Sequence, residues 1–109
     1  MRTILKSKIH GAKVTDVCVD YIGSITIDKK MMNLVDIIEY EQVHVLNVTT
    51  GARFVTYAIQ GKEGQFQING AAARLASKGD KIIILAYEIG NDRPLPLVVF
   101  LDEKNEVTI

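Results

Sequence analysis

"NLVDIIEYEQVHVLNV", residues 33–48, and "AARLASKGDKIIILAY", residues 72–87, can be laid over each other without a gap. Each reads as a short helix, a polar turn and then a strand. Glu41 falls over Asp80 and Val43 over Ile82. The identity is low, but the order of elements repeats. Two similar strand–helix–strand units predict one small barrel with pseudo-twofold symmetry. Closure would also remove exposed sheet edges, which otherwise invite pairing with other chains.

The flanking sequence supports a mainly β chain. Met1 to His10 alternates, with Lys6, Lys8 and His10 on one face and Leu5, Ser7 and Ile9 on the other. Lys13 to Val19 and Ser24 to Asp28 are the next two strand candidates. From Asp28 to Glu39 the period changes. Met31, Leu34, Val35 and Ile38 fall at helical spacing behind Asp28, a suitable N-cap. Val43 to Val48 and Arg53 to Ile59 read as strands joined by Thr49-Thr50-Gly51. Asn69-Gly70 is a turn signal leading into "AAARLA", a brief helix ended by Lys78-Gly79. "KIIILAY" (81–87) is the most apolar strand. Pro94 and Pro96 mark a loop or an edge, and Leu97 to Leu101 forms a late strand. The expected fold is a closed six- or seven-stranded barrel with two or more short helices.

Composition bounds the function. A chain of 109 residues is one domain, 1–109, small enough that oligomerisation would add useful burial. Lys plus Arg and Asp plus Glu both number 13, so the formal charge is zero, against a nucleic-acid binder. Three Phe and no Trp give little for base stacking, which disfavours an oligonucleotide-binding barrel. Cys18 is the only cysteine, which fits a reducing cytosol. "MRTILKSKIH" is too polar for a signal peptide, and no apolar run approaches ~20 residues, so no membrane partner is expected.

The usual enzyme signatures are missing: no phosphate-binding glycine loop, no G-x-S-x-G elbow, no metal-spaced His/Cys cluster. Reactivity would have to come from elsewhere, and "DYIGSITID" (20–28) offers Gly23-Ser24 at the head of a strand. Glycine reaches backbone angles closed to other residues, and a serine hydroxyl can attack the preceding carbonyl carbon. Elimination and hydrolysis would then split the chain and leave a ketone-bearing pyruvoyl group on the new N-terminus. Taken alone, the pair is more simply an ordinary turn, and the chain a non-catalytic small barrel that binds a ligand or protein partner.

The surrounding motifs change that balance. "LKSKIH" (5–10), "YIGSITID" (21–28), "TTGARFVTYAI" (49–59), "NGAAAR" (69–74), "GDKIIILAY" (79–87) and "VVFLDEKNEV" (98–107) occur in the order and at the length of one family. The chain resembles the bacterial aspartate 1-decarboxylases, pyruvoyl-dependent enzymes with a double-psi β-barrel fold. Thr50 stands where the family more often has Asn, Gly11 where it usually has a basic residue, and "EIGNDRPLPL" (88–97) is shorter than the corresponding loop.

The resemblance implies self-cleavage between Gly23 and Ser24 into pieces 1–23 and 24–109. Ser24 becomes the covalent pyruvoyl cofactor, with no metal and no pyridoxal phosphate. L-aspartate would be converted to β-alanine and carbon dioxide through a Schiff base, in pantothenate and coenzyme A synthesis in the cytoplasm. Tyr57 is implied as the proton donor. Arg53 and Lys8 hold substrate carboxylates, and Thr56, Gly70, Ala71 and Ala72 line the pocket. His10 and Asn69 are supporting polar residues. The family's homotetramers place sites between subunits, and a maturation factor for cleavage remains an open partner.

These residue types suit that chemistry. A tyrosine with an ordinary pKa of ~10 keeps its proton at neutral pH and can give it to a carbanion equivalent. The arginine fork can make two charge-assisted bonds to a carboxylate. The start of the helix after Asn69-Gly70 would offer free N–H groups to an anionic end. One tension is built in: on a regular strand Arg53 and Tyr57 lie ~13 Å apart, so a single pocket needs a bulge or two chains.

Overall fold

The computed structural model describes residues 1–92 and 94–108. Arg93, in the shortened 88–97 stretch, lies outside the described residues. Among the described residues there are eight strands, against the six or seven expected: β1 (Arg2–Lys13), β2 (Asp16–Cys18), β3 (Ser24–Asp28), β4 (Gln42–Asn47), β5 (Arg53–Gly61), β6 (Phe66–Asn69), β7 (Lys81–Gly90) and β8 (Leu97–Phe100). Helix α1 (Lys29–Val35) follows β3, and a 3-10 helix (Gly70–Leu75) follows β6. The hydrogen-bonded order is β2-β6-β3-β5-β4-β7-β1-β8.

That order closes on itself. β2 sits at one end and β1 next to the other, yet only Val14 and Thr15 separate them along the chain. The Thr15 N–H donates to Phe66 O at 2.8 Å, and Phe66 N–H donates to Thr15 Oγ1 at 3.0 Å. β1 and β2 are therefore two halves of one bent strand that carries the sheet round to β6.

The echo in the sequence is a real symmetry. Val45 and Ile84, superposed in the alignment of the two repeats, pair directly across the antiparallel β4/β7 ladder. Their neighbours exchange: His44 pairs with Leu85 and Leu46 with Ile83. A twofold axis thus passes between Val45 and Ile84. It also relates the bent β1–β2 to β5. Each is antiparallel to one partner over its first half, β7 or β4, and parallel to another over its second, β6 or β3. This is the double-psi arrangement, with β8 added parallel to β1.

Alternation explains the core. Ile9, Ile25, Ile27, Val43, Val45, Phe66, Ile68, Ile82 and Ile84 are all fully buried and point inward from their strands. Each contributes ~1.5–3 kcal/mol by leaving water. α1 forms where expected. The Asp28 carboxylate accepts from Lys30 N–H at 2.8 Å and Met31 N–H at 3.4 Å. Its buried face differs from the expected stripe, being Met31, Met32 and Val35, while Leu34 and Ile38 are exposed. The helix stops at Val35 and Asp36 turns left-handed at φ 58°, so Ile37 rather than Ile38 returns to the core. The expected strand Lys13–Val19 shrinks to Asp16–Cys18, because Lys13 still belongs to β1.

Two irregularities in β1 also matter. The ladder to β7 shifts register between Leu5 and Ser7 and again between His10 and Ala12. The first shift turns Lys6 out to Glu41, at 3.0 Å, while Ser7 turns in and its hydroxyl donates to Val35 O. The second requires Gly11: φ is +89°, and a Cβ there would lie 3.1 Å from Leu101 O. Glycine at position 11 thus answers a backbone requirement of this chain. No helix among the described residues is long and apolar enough to cross a membrane.

Candidate active site

Ser24 opens β3, paired with Asn69 at the end of β6. Its side chain lies on the outer side of the barrel, since Ile25 and Ile27 point in, yet the residue is only 1% exposed. Asn69 is fully buried beside it. The Asn69 Nδ2 group donates to Ser24 Oγ at 2.9 Å and to Thr26 Oγ1 at 3.0 Å. Ser24 Oγ itself donates weakly back to Ile22 O, at 3.4 Å. With Nδ2 given to the two hydroxyls and Oδ1 accepting from Gln67 Nε2 at 2.8 Å, Asn69 makes no side-chain cap for the 3-10 helix that follows.

The next residue touches the other half of the same peptide. Gly70 sits at φ +72°, and a Cβ there would come within 2.6 Å of Gly23 Cα and 2.8 Å of Gly23 N. Bare backbone packs on bare backbone. The glycine that needs a special conformation is therefore Gly70. Gly23 is outside the left-handed region, and a Cβ on it would meet nothing within 4 Å. The expectation that Gly23 is required for its backbone angle is not met. Beyond Gly70, Ala71 is exposed and Ala72 packs partly on the core. The 3-10 helix is a short, uncapped element of 6 residues, a weaker anion-binding end than an α-helix would give.

The parallel register of β3 with β5 begins at Ile25↔Ala58, so Tyr57 stands one residue ahead on β5, as Ser24 does on β3. Tyr57 is half-buried, its ring 6.2 Å from that of exposed Tyr40. Thr56 precedes it, also half-buried. Arg53 is exposed at the start of β5. The β4/β5 ladder runs from Gln42↔Tyr57 to Leu46↔Arg53 without a register shift. The bulge that could have joined Arg53 to Tyr57 is absent there, and the two stay ~13 Å apart along the strand.

Lys8 and His10 lie on β1, with β7 and β4 between them and β5. Register nonetheless puts them in rows with β5. Arg53, Leu46, Ile83, His10 and Phe100 form one row across the sheet, and Val55, His44, Leu85, Lys8 and Val98 the next. This face carries the expected carboxylate-binding cations among apolar side chains, with Val55, Val98 and Phe100 well exposed. His10 stacks at a tilt on Phe100, ring centroids 5.4 Å apart, and its Nδ1 is buried with no partner among the described residues. Burial first, then the positive charges of Lys8 and Lys81, lower its pKa below the usual histidine value.

One chain thus brings together Gly23, Ser24, Asn69 and Gly70, and places Tyr57 and Thr56 on the adjoining strand. Lys8, His10 and Arg53 fall on a separate part of the outer surface. The sequence reading missed Thr26, Gln65 and Gln67. Gln67 Nε2 donates to Asn69 Oδ1 at 2.8 Å, and Gln65 Nε2 to Gln67 Oε1 at 3.4 Å. The alternation Gln65, Gln67, Asn69 against Phe66 and Ile68 was the available signal, hidden because β6 was not read as a strand. A cavity of about 530 Å³ opens beside these amides, with Tyr21, Thr26, Lys29 and Lys62 in its lining.

Similarity to other proteins agrees with this geometry. Residues 1–108 match the family model described as aspartate decarboxylase. An aspartate 1-decarboxylase of Dehalococcoides mccartyi strain CBDB1 is 51% identical, covering 96% of this chain and 90% of its own. That of Campylobacter jejuni strain 81116 is 53% identical over 97% of this chain and 88% of its own. The Thermoanaerobacter pseudethanolicus protein of the same name is 53% identical over 96% and 95%. This chain belongs to the aspartate decarboxylase family.

Proposed function

We propose that the chain decarboxylates L-aspartate to β-alanine and carbon dioxide with a pyruvoyl group made from Ser24. The observation that carries this reading is the convergence of Asn69 and Gly70 on the Gly23–Ser24 peptide, with Asn69 45 positions from Ser24 along the chain. Together they bury the Ser24 hydroxyl against an N–H donor and press bare backbone on the peptide that precedes it.

Maturation would begin with Ser24 Oγ attacking the Gly23 carbonyl carbon. The hydroxyl proton passes to the Ser24 nitrogen as the C–N bond breaks, giving an ester and a free amine. Loss of the Ser24 α-proton then breaks the Cβ–Oγ bond and releases residues 1–23 as a carboxylate. Water replaces the amine nitrogen of the resulting dehydroalanine, ammonia leaves, and a ketone remains on residue 24. The site suits that product: Asn69 Nδ2, now aimed at Oγ, is a donor that a ketone oxygen can accept from equally well. Once formed, the group supplies an electrophilic carbonyl for the substrate amine and a sink for the electrons freed by decarboxylation.

The remaining work falls to side chains. Tyr57, beside Ser24 across the β3/β5 register, returns a proton to the substrate carbon. Arg53 and Lys8 hold the carboxylates, while Thr56, Gly70, Ala71 and Ala72 line the pocket, with His10 and Asn69 in support. Because β5 is regular and Lys8 lies on another strand, these groups meet only if a second subunit supplies some of them. The exposed apolar rows around Arg53 and Lys8 favour such a homotetramer, with sites between subunits. The product would feed pantothenate and coenzyme A synthesis in the cytoplasm.

Denaturing mass spectrometry tests the first step. The expected pieces are 1–23 and 24–109, the larger one lighter by one ammonia than a hydrolysis product. Borohydride in the presence of labelled aspartate should tag that larger piece. A chain that stays whole after prolonged warming would leave only the binding-barrel reading.

A further inference from the structure

The side-chain amides of β6 form a directional relay. Its outer end is fixed by a group that can only donate: Lys62 N–H bonds Gln65 Oε1 at 2.9 Å. Gln65 must then turn Nε2 towards Gln67 Oε1, at 3.4 Å. Gln67 in turn presents Nε2 to Asn69 Oδ1, at 2.8 Å. Asn69 is left with Nδ2 facing Ser24 Oγ and Thr26 Oγ1. Both hydroxyls can rotate to give or take a proton, and the one other bond of Ser24 Oγ, to Ile22 O, is long at 3.4 Å, so they fix the direction of the Asn69 amide only weakly. The orientation comes from Gln67.

We propose that Gln67 is a positioning residue for self-cleavage, holding Asn69 so that an N–H rather than a carbonyl faces Ser24 Oγ. This rests on the reading of Ser24 as the cleavage nucleophile. The orientation matters at two steps. During attack, an N–H on Oγ stabilises the charge that builds as the hydroxyl proton leaves. During elimination, Oγ departs as a carboxylate oxygen of residues 1–23, and the same donor stabilises it. A flipped Asn69 would offer Oδ1 instead, capture the serine proton and face the departing oxygen with a like partial charge. Strand geometry keeps Gln67 in place: Phe66 and Ile68 are fully buried, so residue 67 must point outward, beside Thr26 and along the cavity wall.

Gln67→Glu gives a test with its own internal control. At pH 7 a carboxylate accepts only, so Asn69 turns Nδ2 towards it, and cleavage should slow roughly tenfold, the effect of ~1.4 kcal/mol on a barrier. Near pH 4, around the ordinary glutamate pKa of ~4.3, Glu at 67 regains a proton and can donate to Asn69 Oδ1. Its cleavage rate should then return to within about threefold of the native chain's at the same pH. Asp16 across β2 and Lys29 and Lys62 around the cavity face this position with opposite signs, so their effects on that titration partly offset. Gln67→Met should be slow at both pH values.

The rates are read as fraction cleaved by denaturing mass spectrometry, on variants whose melting shows a folded protein. Native-rate cleavage by Gln67→Glu at pH 7 overturns the proposal. So does a slow rate at pH 4 matching that of Gln67→Met, which would mark a packing role only. Should both fail to fold, Gln65→Met decides: a rate ~3-fold below native supports the relay, and the native rate refutes it. If the native chain itself never cleaves, the functional reading fails instead.

Discussion

Gly70 and Gly23 are in backbone contact across the ends of β6 and β3, so close that a Cβ on residue 70 would lie 2.6 Å from Gly23 Cα. The asymmetry is informative, because a Cβ on residue 23 would meet nothing within 4 Å. Gly70→Ala must both adopt a left-handed φ, which costs ~1–2 kcal/mol, and push the Gly23–Ser24 peptide aside. Cleavage should fall at least ~10-fold, with lower thermal stability. Gly23→Ala should fold with an unchanged melting temperature. Equal cleavage by Gly70→Ala and the native chain would show that this contact does not set the reactive peptide.

Tyr57→Phe removes the proposed proton donor and keeps the ring that packs near Tyr40. Cleavage should proceed normally while turnover falls ~10²-fold or more. The measurement is β-alanine formed per cleaved chain. Normal turnover would take Tyr57 out of the proton-donor role.

How much of this was legible in the sequence depends on periodicity. The Asn33–Val48 and Ala72–Tyr87 repeat gave the twofold, because two helix-to-strand segments with matched burial can be recognised without knowing their partners. Asp28 as a cap and Ser24–Asp28 as a strand were equally local. The four-residue β6 was too short to be seen beside the Asn69-Gly70 turn signal, and with it went Gln67. The end of α1 was misplaced because its terminator is Asp36, a non-glycine residue in left-handed geometry. The approach of Gly70 to Gly23 is a tertiary fact with no local pattern; only the family resemblance pointed at both.

Arg53→Lys keeps the charge and loses the two-pronged fork. Arg53 is exposed and far along β5 from Tyr57, so stability and cleavage should be unaffected within one chain. KM for aspartate should rise ~10-fold, the loss of one charge-assisted bond of ~1.5 kcal/mol. An unchanged KM would reassign the carboxylate contact to Lys8.

His10 predicts a pH dependence of stability. Burial and the cations Lys8 and Lys81 lower its pKa in the folded chain, and its other close neighbours, Phe100 and Ile83, are uncharged. Above ~pH 6.5, the ordinary histidine value, it is neutral folded or unfolded and contributes no slope. As pH falls through that value the unfolded chain binds a proton that the folded chain resists. By linkage, stability then declines until the lowered folded pKa is passed. His10→Gln removes this contribution and changes no other ionisable side chain. The melting temperature of the Ser24→Ala chain, which keeps maturation out of the comparison, should therefore drop less steeply from pH 7 to pH 5 when His10→Gln is added. An identical slope with and without His10 would mean that its ring is protonated as readily folded as unfolded, and that the buried Nδ1 finds a partner in solution.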